Sequence, residues 1–279
     1  MSEKKTTQVA AESGHWYTHD GELVTAVARA DGIGWRKPTL RDARKADNRW
    51  LPGCTTILRQ AAAPALVRWQ QERAIEAALQ LDQQPEEERK AYMRRVLTKA
   101  GETAAEAAAV GSEVHKAIEQ FYSGEAYDKF YRGHVLGVAD VIEQACPTAA
   151  DVHPWLAEVG VVHDSGFATR VDLHSEAWVL DFKTKDGTPE EWGGTSGRVA
   201  TFSNHWMQLA ACRKALEQRH GWKPDQQRCA IVYVSRDHAG LAEFVEVPEP
   251  KLQQGWQMFQ ALLAYWKAAN AYDPMEQQP

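Results

Sequence analysis

The chain has 279 residues and a mass of 31.3 kDa, is 44% apolar and 25% charged, and carries a net charge of −6. That length gives a core burying about three quarters of the unfolded chain's surface, and the composition excludes collagenous, coiled-coil and wholly disordered chains. The acidic balance argues against a protein that coats nucleic acid nonspecifically, while leaving room for a local basic groove. No apolar run approaches the ~18 residues of a membrane helix, and MSEKKTTQVAAESG lacks the apolar stretch of a secretory signal. Residues 1–14 therefore read as a flexible, solvated tail and the protein as cytoplasmic, with no membrane partner. Cys54, Cys146, Cys212 and Cys229 include no CxxC pair. They read as reduced, mostly buried thiols, with no iron–sulfur cluster.

In chain order, residues 16–25 (WYTHDGELVT) predict two short strands about an Asp-Gly turn. Residues 36–50 carry six Arg or Lys against two Asp and read as a surface loop or short helix. Pro64 suits the first turn of a helix over about 64–81. Pro85 and Glu86–Glu88 suit the start of another, with Arg89, Lys90, Arg94, Arg95 and Lys99 further along. The alanine-rich stretch 102–122 predicts a helix, as does 126–145 with Phe130, Val135, Val138, Val141 and Ile142. After Pro147 the pattern changes to strands at 155–163, 166–174 and 178–185. A long loop over 186–203 leads to a helix at 204–218, strands at 229–234 and 241–247, and a last helix at 250–269. This order predicts an α/β (α+β) domain with a central mixed sheet flanked by helices and a helical N-terminal part. One domain over 15–279 is expected, with a hairpin and helical part over 15–146 and a sheet core over 147–270.

Asp181 and Lys183 are two apart on a predicted strand, so both side chains leave one face while Leu180 and Phe182 point into the core. A two-residue turn at 176–177 puts Asp172 directly opposite Asp181. Two carboxylates so placed repel unless a cation lies between them, and oxygen donors suit a hard divalent ion. Glu-Ala is not a favoured primed turn, so a wider loop with a shifted register stays open. In GSEVH, Gly111 and His115 share a helix face. A glycine inside an alanine-rich helix costs about 1 kcal/mol, which calls for close approach of a backbone or ligand. Glu119, one turn beyond, is placed to accept the second ring N–H of His115.

GSEVHKAIE, Glu158 in LAEVGVV, GFATRVDL, VLDFKTK and QLAAC occur in an order and spacing that resemble the RecB-type branch of the PD-(D/E)XK nucleases. PGCTTIL (52–58) and ALVRW (65–69) are similar to the N-terminal region of phage-encoded RecB-like exonucleases, relatives of the CRISPR-associated RecB-like exonucleases. The resemblance covers about 50–215 in patches and implies a restriction-endonuclease-like core. It implies Mg²⁺ or Mn²⁺ held by His115, Asp172, Asp181 and the Phe182 carbonyl. It further implies Lys183 orienting the attacking water, Gln208 holding the Lys183 region or a phosphate, and Glu158 binding a second ion or positioning the strand. The plain alternative for Glu158 is a solvated edge residue. Cys212 stands where the family often has Tyr.

Phosphodiester hydrolysis needs a nucleophile formed at neutral pH and charge neutralised on the phosphorus oxygens, and a carboxylate-held metal with a lysine supplies both. The basic segments 36–50 and 89–99 are candidates to follow DNA phosphates, Arg94 and Arg95 among them, with solvated faces as the alternative. Trp35, Trp50, Trp192 and Trp206 are candidates to stack bases, and Arg198 is the basic residue of a loop read as a lid or strand guide. The expected function is a metal-dependent DNA exonuclease of phage or bacterial recombination, repair or degradation. Its expected partners are DNA and a single-strand annealing or other recombination protein. The rivals are a structure-specific or restriction-like endonuclease and a non-catalytic DNA-binding subunit.

Overall fold

A computed structural model describes residues 14–61, 64–147, 154–192 and 201–276. The tail expected over 1–14 lies outside these residues except for Gly14, and so do Arg198 and the rest of the 193–200 loop. Near the N-terminus, Trp16–Tyr17 (β1) and Leu23–Val24 (β2) pair antiparallel about Asp20 and Gly21. Gly21 has φ +86°, the left-handed value such a turn needs. A later strand, Leu51–Pro52 (β5), covers the other edge of β1. Between them, Val27–Ala28 (β3) and Trp35–Arg36 (β4) form a small hairpin of their own.

Part of the basic segment that begins in β4 is held by ion pairs, while Lys37, Arg41, Arg44 and Lys45 are exposed. Arg36 donates to both oxygens of the buried Asp42 at 2.6 and 2.8 Å, and Lys45 is 3.1 Å from the same carboxylate. Asp42 in turn caps the short helix Leu40–Ala43 through Thr39. Arg44 and Arg49 donate to the carbonyls of Asn270 and Pro274, and Tyr272 donates to Ala43 and Trp50 carbonyls at 3.1 and 2.9 Å. This segment therefore fastens the C-terminal end of the chain.

The helix Pro64–Gln80 begins at the expected proline. The two helices expected on either side of residue 101 are one, Arg89–Tyr122, 34 residues long. A single glycine with alanine-rich flanks does not break a helix, and a Cβ at Gly101 would meet nothing. Phe130 falls in a 3₁₀ turn, Lys129–Tyr131, and is 78% exposed rather than packed. The helix Arg132–Ala145 buries Val135, Val138 and Ile142 as its spacing predicts.

The five-stranded mixed sheet consists of Leu156–His163 (β6), Phe167–His174 (β7), Trp178–Lys185 (β8), Arg228–Ser235 (β9) and Ala242–Val247 (β10). Its order is β10-β9-β8-β7-β6, antiparallel except for the parallel β8–β9 pair, whose crossover is the helix Ser203–His220. One face packs Val179, Ile231 and Val247 against that helix and the terminal helix Glu249–Asn270. The other packs Leu180, Phe182 and Val232 against Val114 and Ile118 of the long helix and Val138 of the next. Helices on both faces of a mixed sheet are the expected α/β class. Among the described residues, no helix is long and apolar enough to cross a membrane.

Behind the sheet, Arg213 is 0% exposed in the core of the Ser203–His220 helix. Its guanidinium meets Glu249 at 2.6 and 3.0 Å, Asp225 at 2.9 Å and the Gln227 carbonyl at 3.3 Å. It ties this helix to the loop before β9 and to the start of the terminal helix.

Two irregularities position the chemistry. The β7–β8 ladder runs only from His174–Val179 to Leu173–Leu180, closed by the bond from Ser175 N–H to the Trp178 carbonyl. The two-residue turn is thus at 176–177 as the spacing predicts, and Asp172 and Asp181 come next in register, but there the strands part. Segment 51–54 enters the gap, with Gly53 bridging Ala168 on the edge of β7 turned away from β6. Secondly, β6 and β7 both roll at the same level. Val159 and Val171 pack in one core while Ala157 and Leu173 pack in the other, and the pairing skips Glu158 and Asp172 before resuming in the same register. Glu158, between them, has φ +54°, a left-handed conformation costing about 1–2 kcal/mol in a non-glycine residue. Asp172 is its counterpart in β7. The expectation that Asp172 and Asp181 leave one face as ladder neighbours is therefore corrected: they meet at the split.

Candidate active site

On β8, alternation sends Leu180 and Phe182 into one core and Asp181 and Lys183 toward the Ser203–His220 helix. Asp181 is only 3% exposed. Lys183 Nζ donates to Asp181 Oδ1 at 2.8 Å and to Gln208 Oε1 at 3.1 Å. Asp181 Oδ2 lies 2.6 Å from the same ammonium as an ion pair and takes no hydrogen bond. Lys183 is held above its ordinary value, because although burial opposes the charge, Asp181 and Asp172 outweigh it.

Across the split, Asp172 Oδ2 accepts the Phe182 N–H at 2.8 Å, a side chain replacing the strand partner that β8 has lost. His115 approaches from the long helix, its ring edge-on to Phe182 at 6.0 Å and bonded to the Phe182 backbone. Burial and then the Lys183 charge lower its pKa to about 4, so the imidazole is neutral and able to donate a lone pair. Gly111 has a reason one turn earlier: a Cβ there would stand 2.6 Å from Thr184 Oγ1 at the end of β8.

Glu158 completes the row across β6, β7 and β8. Its carboxylate is 2.6 Å from Arg170 Nε, and burial followed by repulsion from Asp172 pushes its pKa up to about 7. Glu119 does not reach His115 as its spacing suggests. Its Oε1 is 3.9 Å from Arg170 Nη2, because the His115 ring turns to the Phe182 backbone.

Asp172 is raised well above the carboxylate range, chiefly by burial and then by Asp181. The folded protein thus keeps a proton that the unfolded chain has lost, and the stability carried by this group is lost as pH rises through its folded value. Asn at 172 removes the charge and keeps an oxygen for Phe182. Asp172→Asn is expected to melt above the parent at pH 8 in EDTA, by about 3 °C per kcal/mol of repulsion relieved. The gap should narrow as pH falls toward 5. Scanning calorimetry across that range decides it, and a gap that ignores pH would remove the repulsion from the account.

Of the predicted DNA contacts, Arg94 is exposed, with Nε on the Lys90 carbonyl at 3.3 Å. Arg95 is not open to phosphate: it binds Glu87 at 2.9 and 3.2 Å and the Asp82 carbonyl at 2.7 Å, fixing the turn between two helices. Trp206 is also corrected. Its N–H bonds Thr201 at 2.9 Å, Lys251 covers its ring at 4.4 Å, and its edge packs on the core. Trp192 is buried and Trp50 packs on the core, while Trp35 stays 69% exposed.

Sequence reasoning missed His205, whose Nδ1 lies 3.0 Å from the Tyr233 hydroxyl. Burial and then Lys183 lower its pKa to about 4. The signal was present: His205 and Gln208 are three apart on one helix, and Tyr233 lies opposite Lys183 in the parallel ladder. Thr169 closes the floor, its Oγ1 3.3 Å from Cys212 Sγ, with Cys54 on the same hydroxyl. All four cysteines are free and buried.

The donor types suit a hard divalent cation: two or three carboxylates, a neutral imidazole and a buried Asp181 oxygen without a hydrogen bond. Among the described residues, no three His, Cys, Asp or Glu side chains already converge into a coordination group. Lys183 and Arg170 instead hold the acids' charge.

No family model and no curated protein matches the chain. Among solved structures it is similar to a "Putative exonuclease" from Eubacterium rectale, with 11% identity, 60% of this chain and 69% of that one covered, and a TM-score of 0.39. It is also similar to SSO0001, with 12% identity, 73% and 87% covered, and a TM-score of 0.29. At such scores neither likeness carries an argument, and the reading rests on the geometry of the site.

Proposed function

We propose that the chain is a divalent-metal-dependent deoxyribonuclease of the RecB-like type, acting as an exonuclease on DNA ends in recombination, repair or degradation. One observation carries this reading: Glu158, Asp172 and Asp181 from three neighbouring strands come close enough at a split in the sheet to repel one another, with Lys183 and His115 beside them. An acidic pocket repels a phosphodiester, so such a row serves phosphate chemistry only with cations in it. The cation, Mg²⁺ or Mn²⁺, would polarise the phosphoryl group and lower the pKa of a bound water. Asp172, Asp181, the neutral His115 and the Phe182 carbonyl would hold it. Lys183 stands two residues beyond Asp181 with its ammonium anchored by Gln208, where it holds positive charge against the developing phosphorane and orients a water. Gln208 and His205 brace that side from the crossover helix, and Cys54, Thr169 and Cys212 close the floor against solvent.

End-labelled linear and circular DNA, single- and double-stranded, incubated with Mg²⁺, Mn²⁺ or EDTA, tests the proposal. Linear forms are expected to be degraded to short products with either metal, and circles and EDTA samples to stay intact. Nicking of circles would replace the exonuclease by an endonuclease. Binding without cleavage under every metal condition would leave a DNA-binding subunit.

A further inference from the structure

Arg170 lies among the acids of the site, and the chemistry proposed above gives it no task. Its Nε is 2.6 Å from Glu158 Oε2 and donates to the Glu158 carbonyl at 3.2 Å, while Nη2 is 3.9 Å from Glu119 Oε1. One guanidinium therefore grips both the carboxylate and the backbone of the residue at which β6 rolls through its left-handed conformation. The Arg170 side chain is 43% exposed and that of Glu158 19%, so the arginine covers the acid from the solvent side.

We propose that Arg170 is a positioning residue that withholds Glu158 from the divalent cation, so that the site holds one ion through Asp172, Asp181 and His115. The inference rests on the metal-dependent reading above. Glu158 and Asp172 lie at the same level of β6 and β7, between the paired Ala157–Leu173 and Val159–Val171, which makes Glu158 a neighbour of an ion that Asp172 would hold. An incoming cation must compete for Glu158 with a guanidinium already in contact with it. Both contacts with Glu158 are made at Nε, part-way along the arginine side chain, and the terminal ammonium of a lysine does not occupy that point.

Mn²⁺ titration calorimetry at pH 8, without DNA, tests this on the full chain. The parent is expected to bind one ion. Arg170→Ala is expected either to take up a second Mn²⁺ or to bind the first about tenfold more tightly, the scale on which groups contacting a ligand tune metal affinity. Adding Glu158→Gln to Arg170→Ala should return the titration to that of the parent. Arg170→Lys should show a smaller gain of the same sign, and it decides the matter if the alanine variant fails to fold. Titrations of Arg170→Ala and Arg170→Lys identical to the parent's would overturn the inference. So would a gain that survives Glu158→Gln, since that would be a general field effect. A parent that binds no Mn²⁺ would instead bring down the metal-dependent reading itself.

Discussion

Asp181→Ala is expected to lower DNA cleavage by at least about three orders of magnitude while the chain stays folded. The side chain removed is the buried carboxylate whose second oxygen has no hydrogen bond, and with it go the proposed cation ligand and an anchor of the Lys183 ammonium. Two effects on stability oppose each other. The 2.6 Å contact with Lys183 is lost, but Lys183 keeps Gln208 at 3.1 Å, and the repulsion that raises Asp172 is relieved. Melting temperature should therefore move by only a few degrees, and binding of labelled DNA in EDTA should persist or strengthen as negative charge leaves the site. An exposed surface pair would behave differently, with about 0.5 kcal/mol of stability at stake and no change in rate. Single-turnover cleavage by parent and variant separates the two. A variant that degrades DNA at the parent's rate would remove Asp181 from the chemistry, and the proposed site with it.

Arg213→Ala is expected to cost about 3 kcal/mol of stability, the low end of the range for breaking a buried ion pair. The low end applies because Asp225 and Glu249 are 40% and 38% exposed and can rehydrate, while the buried Glu217 keeps Lys214 at 2.9 Å. What remains is the hole left by a fully buried side chain and the loss of bonds joining three segments. Urea unfolding reads the change as a lower midpoint at constant slope. Arg213→Met, which refills the volume without the charge, should recover part of the loss. A midpoint unmoved by Arg213→Ala would mean that the network is incidental. Cleavage well below the melting temperature should survive, since Arg213 touches none of the acids on β6–β8.

The strands were legible because each is short, apolar and bounded by turn residues, so β6 to β10 fall within a residue or two of their expected ends. The turn at 176–177 was legible too, since it follows from local geometry, and so was the need for a close approach at Gly111, although what approaches is the Thr184 side chain rather than a backbone or ligand. Other features were not. Arg94 and Arg95 are identical letters side by side, yet one is open and the other is tied to Glu87 and the Asp82 carbonyl eight and thirteen residues back. Trp206 next to a polar loop reads as open, but Lys251 from another helix covers it. Arg170 lies between Thr169 and Val171 in a strand and announces nothing, because its partners come from β6 and the long helix. The roll at Glu158 has no sequence mark at all, since left-handed positions usually advertise themselves by glycine or asparagine. Periodicity fixes which way a side chain leaves its own element. Which charge it meets is decided by elements distant in sequence.

The short β7–β8 ladder makes the sheet two plates rather than one. The plate β6–β7 and the plate β8–β9–β10 share only the hydrogen bonds near the 176–177 turn, and beyond it the seam is packed by residues 51–54 and stitched by the carboxylate of Asp172 on the Phe182 N–H. Asp172 belongs to one plate and Asp181 to the other. Whatever draws those two carboxylates together closes the seam, and whatever drives them apart opens it. Under the proposed metal-dependent reading, a cation between them would act as a rivet as well as a reagent, so that the stiffness of the sheet and the readiness of the site for chemistry would be set by one and the same joint.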